Sequence, residues 1–91
     1  MYAKTVEIIN PTGLHARPAA DFVREAGKFK SKITIQKTGA ARGPANAKSI
    51  IFVLAQGLAK GTTAEIRAEG EDEIEAVDKL AQMIEGGFGE L

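Results

Sequence analysis

Apolar and polar positions change period several times along the chain, and each change marks a predicted element. Tyr2 to Ile9 alternates, with Tyr2, Val6 and Ile8 on one face, which predicts a half-buried strand. Asn10-Pro11-Thr12-Gly13 stops it with turn chemistry. Ala19, Ala20, Phe22, Val23 and Ala26 then recur at helical spacing, and Gly27 follows the last of them. Pro18 is compatible with that helix only in its first turn, where its missing N–H has no intrahelical partner, so the helix must begin near His15 or Ala16.

Ile33 to Lys37 alternates again as a second strand. Thr38 to Asn46, with Gly39, Gly43 and Pro44, is a loop with room for a short third strand. Ala47 to Ala55 predicts a short apolar helix, and Ala64, Ile66 and Ala68 alternate with Glu65, Arg67 and Glu69 in a last strand. Glu71-Asp72-Glu73 opens the final helix with acids where its dipole favours them. Ile74, Val77, Leu80, Ala81 and Ile84 form the expected buried stripe, and Gly86-Gly87 ends the helix. The polar outer face of the last strand suits a sheet covered on one side, so the expected fold class is α+β, a two-layer sandwich.

Length bounds what such a fold can do. At 91 residues we expect one domain, 1–91, with a thin core and little room for a deep metabolite pocket. The absence of cysteine excludes disulfides and cysteine nucleophiles, and one histidine excludes a multi-histidine zinc site. No metal and no other cofactor is expected. The N-terminus lacks a signal-peptide pattern, and the longest apolar run, Ile50 to Ala55, falls far short of the roughly 20 residues that span a bilayer. A cytoplasmic protein without membrane insertion is the expectation.

Charge is zero overall but unevenly spread. Residues 1–64 hold ten basic and three acidic side chains, a balance of +7, and residues 65–91 carry −7. That polarity suits docking of acidic partners through the basic part, although an acidic solvated helix beside a mixed surface explains it equally well.

The candidate chemistry lies at His15, the only histidine. The start of a helix presents unpaired N–H groups and the positive end of the dipole, a ready anion site. Arg17 can fork onto phosphate oxygens, Gly13 frees the approaching backbone, and Pro18 stiffens the first turn. A ring nitrogen of the imidazole is the group that would attack phosphorus. Taken alone, a lone histidine beside an arginine is more often a cap or a gap-filler.

The whole stretch Gly13-Leu14-His15-Ala16-Arg17-Pro18-Ala19-Ala20 resembles the active-site signature of the histidine-containing phosphocarrier proteins (HPr) of the bacterial phosphoenolpyruvate-dependent phosphotransferase system. Ala47-Lys48-Ser49-Ile50-Ile51, Gly57 to Gly61 and Ala68 to Glu73 resemble later segments of that family, in order and in register over nearly the whole chain. The resemblance implies an open-faced β-sandwich, a four-stranded antiparallel sheet covered on one face by three helices, and the two-layer reading above agrees with it apart from the third strand. It implies a stoichiometric phosphoryl carrier and not an enzyme. His15 would be phosphorylated on Nδ1, and Arg17 would assist transfer. Enzyme I would be the donor, and sugar-specific IIA proteins or domains the acceptors.

By the same resemblance Ser49 matches a regulatory serine, the target of a serine kinase/phosphorylase, with a transcriptional regulator as a further partner. Ile50 and Ile51 would head an exposed docking patch. The Thr38–Asn46 loop departs from the family by a few extra residues, and the acidic ending also suits a nitrogen-regulatory branch. A monomer is expected. An interaction module signalling through Ser49 is weakened by the presence of both His15 and Arg17. A nucleic-acid binder is disfavoured because the outward strand positions Thr34, Gln36, Glu65 and Arg67 include no aromatic.

Overall fold

A computed structural model describes residues 1–90. The strands are β1 (Tyr2–Glu7), β2 (Lys32–Lys37), β3 (Ala45–Asn46) and β4 (Thr63–Glu69), and the helices α1 (Ala16–Ala26), α2 (Ile50–Ala55) and α3 (Glu73–Glu85). The strands form one antiparallel sheet in the order β1-β4-β2-β3. β4 is central, pairing Val6 with Ala64 on one side and Ile35 with Ile66 on the other.

Every second residue of β4 (Ala64, Ile66, Ala68) is buried, and so are Ile33 and Ile35 of β2. Their face meets Phe22 of α1, Val53 of α2, and Val77, Leu80 and Ile84 of α3, all fully buried. This is the expected open-faced sandwich, with one face of the sheet left to solvent.

Two local expectations needed correction, while the short third strand is borne out. The third strand is real but only two residues long. Its loop is drawn in by Gln56, a buried side chain that accepts from Lys37 N–H at 3.0 Å and donates to the Gly43 carbonyl at 2.9 Å. The second helix starts at Ile50 and not Ala47. The Asn46 side chain accepts from Lys48 N–H at 2.9 Å, making an Asx turn that competes with helix until Ser49 caps it. Ile74 is 57% exposed, and Ala76 takes its place in the buried stripe of α3. At about 100° per residue, Ile74 lies roughly a quarter-turn from the centre of that stripe.

Asp72, at the N-cap of α3, bonds away from its own helix. Its carboxylate accepts from the N–H groups of Lys30 and Ser31 at 2.8 and 2.9 Å and from the Ser31 hydroxyl. These bonds, the Ser31 hydroxyl first, hold its carboxyl below the usual range. No described helix is long and apolar enough to cross a membrane.

Candidate functional site

The site is built by the turn between β1 and α1. Beyond Glu7 the chain keeps its pairing for one residue, with Ile8 N–H on the Thr62 carbonyl at 2.8 Å. It then reverses. Gly13 N–H donates to the Asn10 carbonyl at 3.0 Å, and the fully buried Asn10 side chain donates back to the Gly13 carbonyl at 2.9 Å. Gly13 has φ +72°, and a Cβ there would come 2.8 Å from the Leu58 carbonyl oxygen. Leu14, buried, donates its N–H to that same oxygen at 2.8 Å. The turn is therefore clamped to the Gly57–Ala59 segment.

His15 follows in extended conformation (φ −144°, ψ 162°) at the N-cap of α1. Its ring is exposed and makes no capping bond. Ala16 then takes φ +52°, a left-handed conformation that costs a non-glycine residue about 1–2 kcal/mol. Buried Pro18 and Ala19 on one side and the Leu14 bond on the other hold it there. The sequence gives no cue for this: a helix starting at Ala16 is legible, its left-handed entry is not. The outcome is an imidazole standing free over the amino end of an 11-residue helix.

Arg17 is also free. Its side chain is 91% exposed, and its Nε is 3.9 Å from Asp21, whose other oxygen is held by Arg24 at 2.6 Å. A guanidinium this loosely engaged is available to an incoming anion.

A shallow hollow of about 250 Å³ joins His15, Thr12 and Leu14 to Leu54 and the Gly57–Ala59 segment. It connects the imidazole to α2. Ser49 caps that helix, accepting from Phe52 N–H at 3.5 Å. Ile51 and Phe52 are 72% and 59% exposed, and Ile50 and Leu54 are half out, while Val53 alone is fully buried. A larger hollow, about 540 Å³, lies elsewhere, between Lys30–Thr34 and Pro44–Lys48.

A family model described as "PTS HPr component phosphorylation site" matches residues 2–86. The chain belongs to the HPr family. It is 48% identical over 84 residues to the phosphocarrier protein HPr of Haemophilus influenzae, covering 92% of this chain and 95% of that one. HPr-C-His of Thermoanaerobacter tengcongensis superposes with a TM-score of 0.93 at 46% identity, over 100% of this chain and 99% of that one. An HPr dimer from the same organism gives 0.76 at 46% identity, over 99% and 100%. HPr proteins are phosphocarriers of the phosphotransferase system in sugar transport, which fits the recognised signature around His15.

Within this HPr fold, His15 and Arg17 share the start of α1, and Ser49, Ile50 and Ile51 share the start of α2, whose Leu54, near the other end, lines the hollow that holds His15. Sequence reasoning missed Phe52 and Leu54 as part of the exposed patch. A six-residue apolar run does not announce which of its members faces inward; only the caps that set the phase of α2 decide it. It also missed Glu90. This side chain accepts from Asn10 Nδ2 at 2.9 Å, from Thr12 N–H at 3.3 Å and from the Thr12 hydroxyl at 2.9 Å. The Asn10 amide first, then the Thr12 hydroxyl, hold its carboxyl below the usual range.

Proposed function

We propose that the chain, acting as one domain over residues 1–91, carries a phosphoryl group on His15 from Enzyme I to sugar-specific IIA proteins. The observation behind this reading is the free imidazole at the amino end of α1, beside an almost unpaired Arg17. In the transfer step a ring nitrogen forms a bond to phosphorus as the donor's bond to phosphorus breaks, and passing the group on reverses this. The phosphoryl oxygens are met by the helix-end N–H groups and the Arg17 guanidinium, both of which act without moving far. An exposed site of this kind holds the group moderately, as a carrier needs. The chain turns over no metabolite of its own.

The same reading makes Ile50 and Ile51, extended by Phe52 and Leu54, the docking patch: they are exposed apolar residues of one short helix, and Leu54 of that helix lines the hollow that holds His15. Ser49 is the proposed control point. It caps α2 beside that patch, and an acidic group is well tolerated at an N-cap, so phosphorylation there changes docking more than fold. Ser49→Asp is expected to keep the wild-type melting temperature and to accept phosphate more slowly; equal rates would remove Ser49 from regulation. We place the carrier in the cytoplasm as a monomer, and a dimeric elution volume would instead align it with the T. tengcongensis dimer.

The deciding experiment is phosphorylation by phosphoenolpyruvate and Enzyme I, with His15→Ala alongside. One acid-labile phosphate on the wild type and none on the folded variant is the expected result. Retained acceptance by His15→Ala would end the assignment.

A further inference from the structure

We propose that Glu90 is a positioning residue for phosphoryl transfer: its carboxylate reaches back from beyond α3 and fixes the Asn10–Gly13 turn that presents His15. The inference rests on His15 being the phosphorylated residue.

The contact is aimed by the backbone. Gly87, Phe88 and Gly89 have φ of +68°, +53° and +78°, three consecutive left-handed residues that reverse the chain after α3. Glu90 N–H closes this turn on the Gly87 carbonyl at 2.9 Å, and Phe88 packs against the core as an anchor. A left-handed phenylalanine is uncommon and persists only where its surroundings over-determine it.

One carboxylate then serves three donors on two residues of the His15 turn. Oε1 accepts from Asn10 Nδ2 and Thr12 N–H, and Oε2 accepts from the Thr12 hydroxyl. Asn10 makes this contact consequential. The residue is fully buried, its two amide hydrogens go to the Gly13 carbonyl and to Glu90, and its Oδ1 has no partner. Its orientation is therefore set by donation alone. Without Glu90 one of the two amide hydrogens loses its acceptor, on a buried side chain whose oxygen already lacks a partner, and that loss favours rearrangement to regain one. The residues that would move are Asn10 to Gly13, immediately before Leu14 and His15. Arg17, Pro18 and Asp21 line a hollow with Phe88 and Glu90, so the tail also flanks the first turn of α1.

The proposal separates geometry from charge. In Glu90→Gln the carbonyl oxygen can still accept from Asn10 and Thr12 N–H, while the amide donates to the Thr12 hydroxyl oxygen. Glu90→Ala removes all three contacts. The test measures phosphoryl acceptance by the full chain from phosphoenolpyruvate and Enzyme I, with the carrier as the varied substrate, for wild type, both Glu90 variants and His15→Ala. Glu90→Ala should lower kcat about tenfold with KM within about twofold, and Glu90→Gln should restore kcat to within about twofold. Amide ¹H–¹⁵N shifts of Gly13, Leu14 and His15 should move in Glu90→Ala and return in Glu90→Gln.

An unchanged kcat in Glu90→Ala would make Glu90 a structural staple only. A Glu90→Gln variant as slow as Glu90→Ala would mean that charge matters and not position. A rise in KM alone would assign Glu90 to docking. Each overturns the proposal. Acceptance by His15→Ala would instead defeat the reading beneath it. Thr12→Val, which deletes one of the three contacts at an exposed position, guards against a folding defect: it should give an intermediate kcat, and a wild-type value would count against the latch.

Discussion

Gly13 lies against the carbonyl of Leu58 so closely that a Cβ would stand 2.8 Å from its oxygen, and its φ of +72° is one that side chains resist. Two costs therefore fall on Gly13→Ala: about 1–2 kcal/mol for the left-handed backbone, and displacement of a backbone oxygen that already holds Leu14. We expect a loss of about 2 kcal/mol or more, read as a fall in melting temperature of roughly 10 °C. Transfer should slow as well, because Leu14 is the residue before His15. A variant as stable as wild type would show that the Leu58 clamp is soft.

Arg17 should behave in the opposite way. Its side chain is 91% exposed and its nearest acid is 3.9 Å away, so its loss should change stability by less than about 0.5 kcal/mol. Its proposed value lies in meeting the phosphoryl oxygens, and Arg17→Ala should slow transfer by about tenfold or more. Denaturant unfolding and single-turnover transfer measured on one sample separate the two effects. A large loss of stability with a wild-type rate would reverse the assignment.

Helix α2 offers neighbouring residues with contrasting roles. Ile51 and Phe52 face solvent, and Val53 is fully buried. Ile51→Glu and Phe52→Glu should leave stability within about 0.5 kcal/mol of wild type while weakening binding to Enzyme I by about tenfold or more. Val53→Ala should cost about 1–3 kcal/mol through its cavity and leave the affinity of the folded fraction unchanged. Titration calorimetry with the partner checks the first pair and chemical denaturation the second.

How much of this was legible in the chain follows from the range of the forces involved. The alternation of Ala64, Ile66 and Ala68 and the spacing of Phe22, Val77 and Leu80 reflect burial on one face, a pattern each element carries within itself, so the layers and the class of fold could be read. The place of His15 at a helix start could be read too, since Pro18 admits only a first-turn position. What could not be read depends on partners far away in the chain. The start of α2 is the local exception: it depends on the Asn46 side chain bonding to Lys48, two residues on, in a turn that competes with helix. The left-handed Ala16 depends on Leu58, and the role of Glu90 depends on Asn10, 80 residues before it. Ile74 differs from expectation because it lies about a quarter-turn round α3 from the centre of the stripe, and periodicity does not fix how wide a face the sheet covers.

Asp72 gives the molecule a defined response to acid. Its carboxylate takes three hydrogen bonds from Lys30 and Ser31, and these hold its pKa below the usual value. A carboxyl whose pKa is depressed on folding stabilises the folded state above the unfolded pKa, near 4. That contribution fades as pH falls through the lower, folded value. The bonds join the loop after α1 to the start of α3, where Gly70 packs so tightly that a Cβ would meet Ser31 Cα at 2.7 Å, so loosening them should open this corner first. Asp72→Asn should be less stable than wild type at neutral pH, and the gap should narrow as pH drops below about 4. Glu90 and Asp78, whose carboxyls are depressed as well, remain in both proteins and do not disturb the comparison. Urea unfolding of the pair from pH 7 to pH 2.5 measures the gap directly. A constant difference across that range would mean that Asp72 acts through packing and not through its charge.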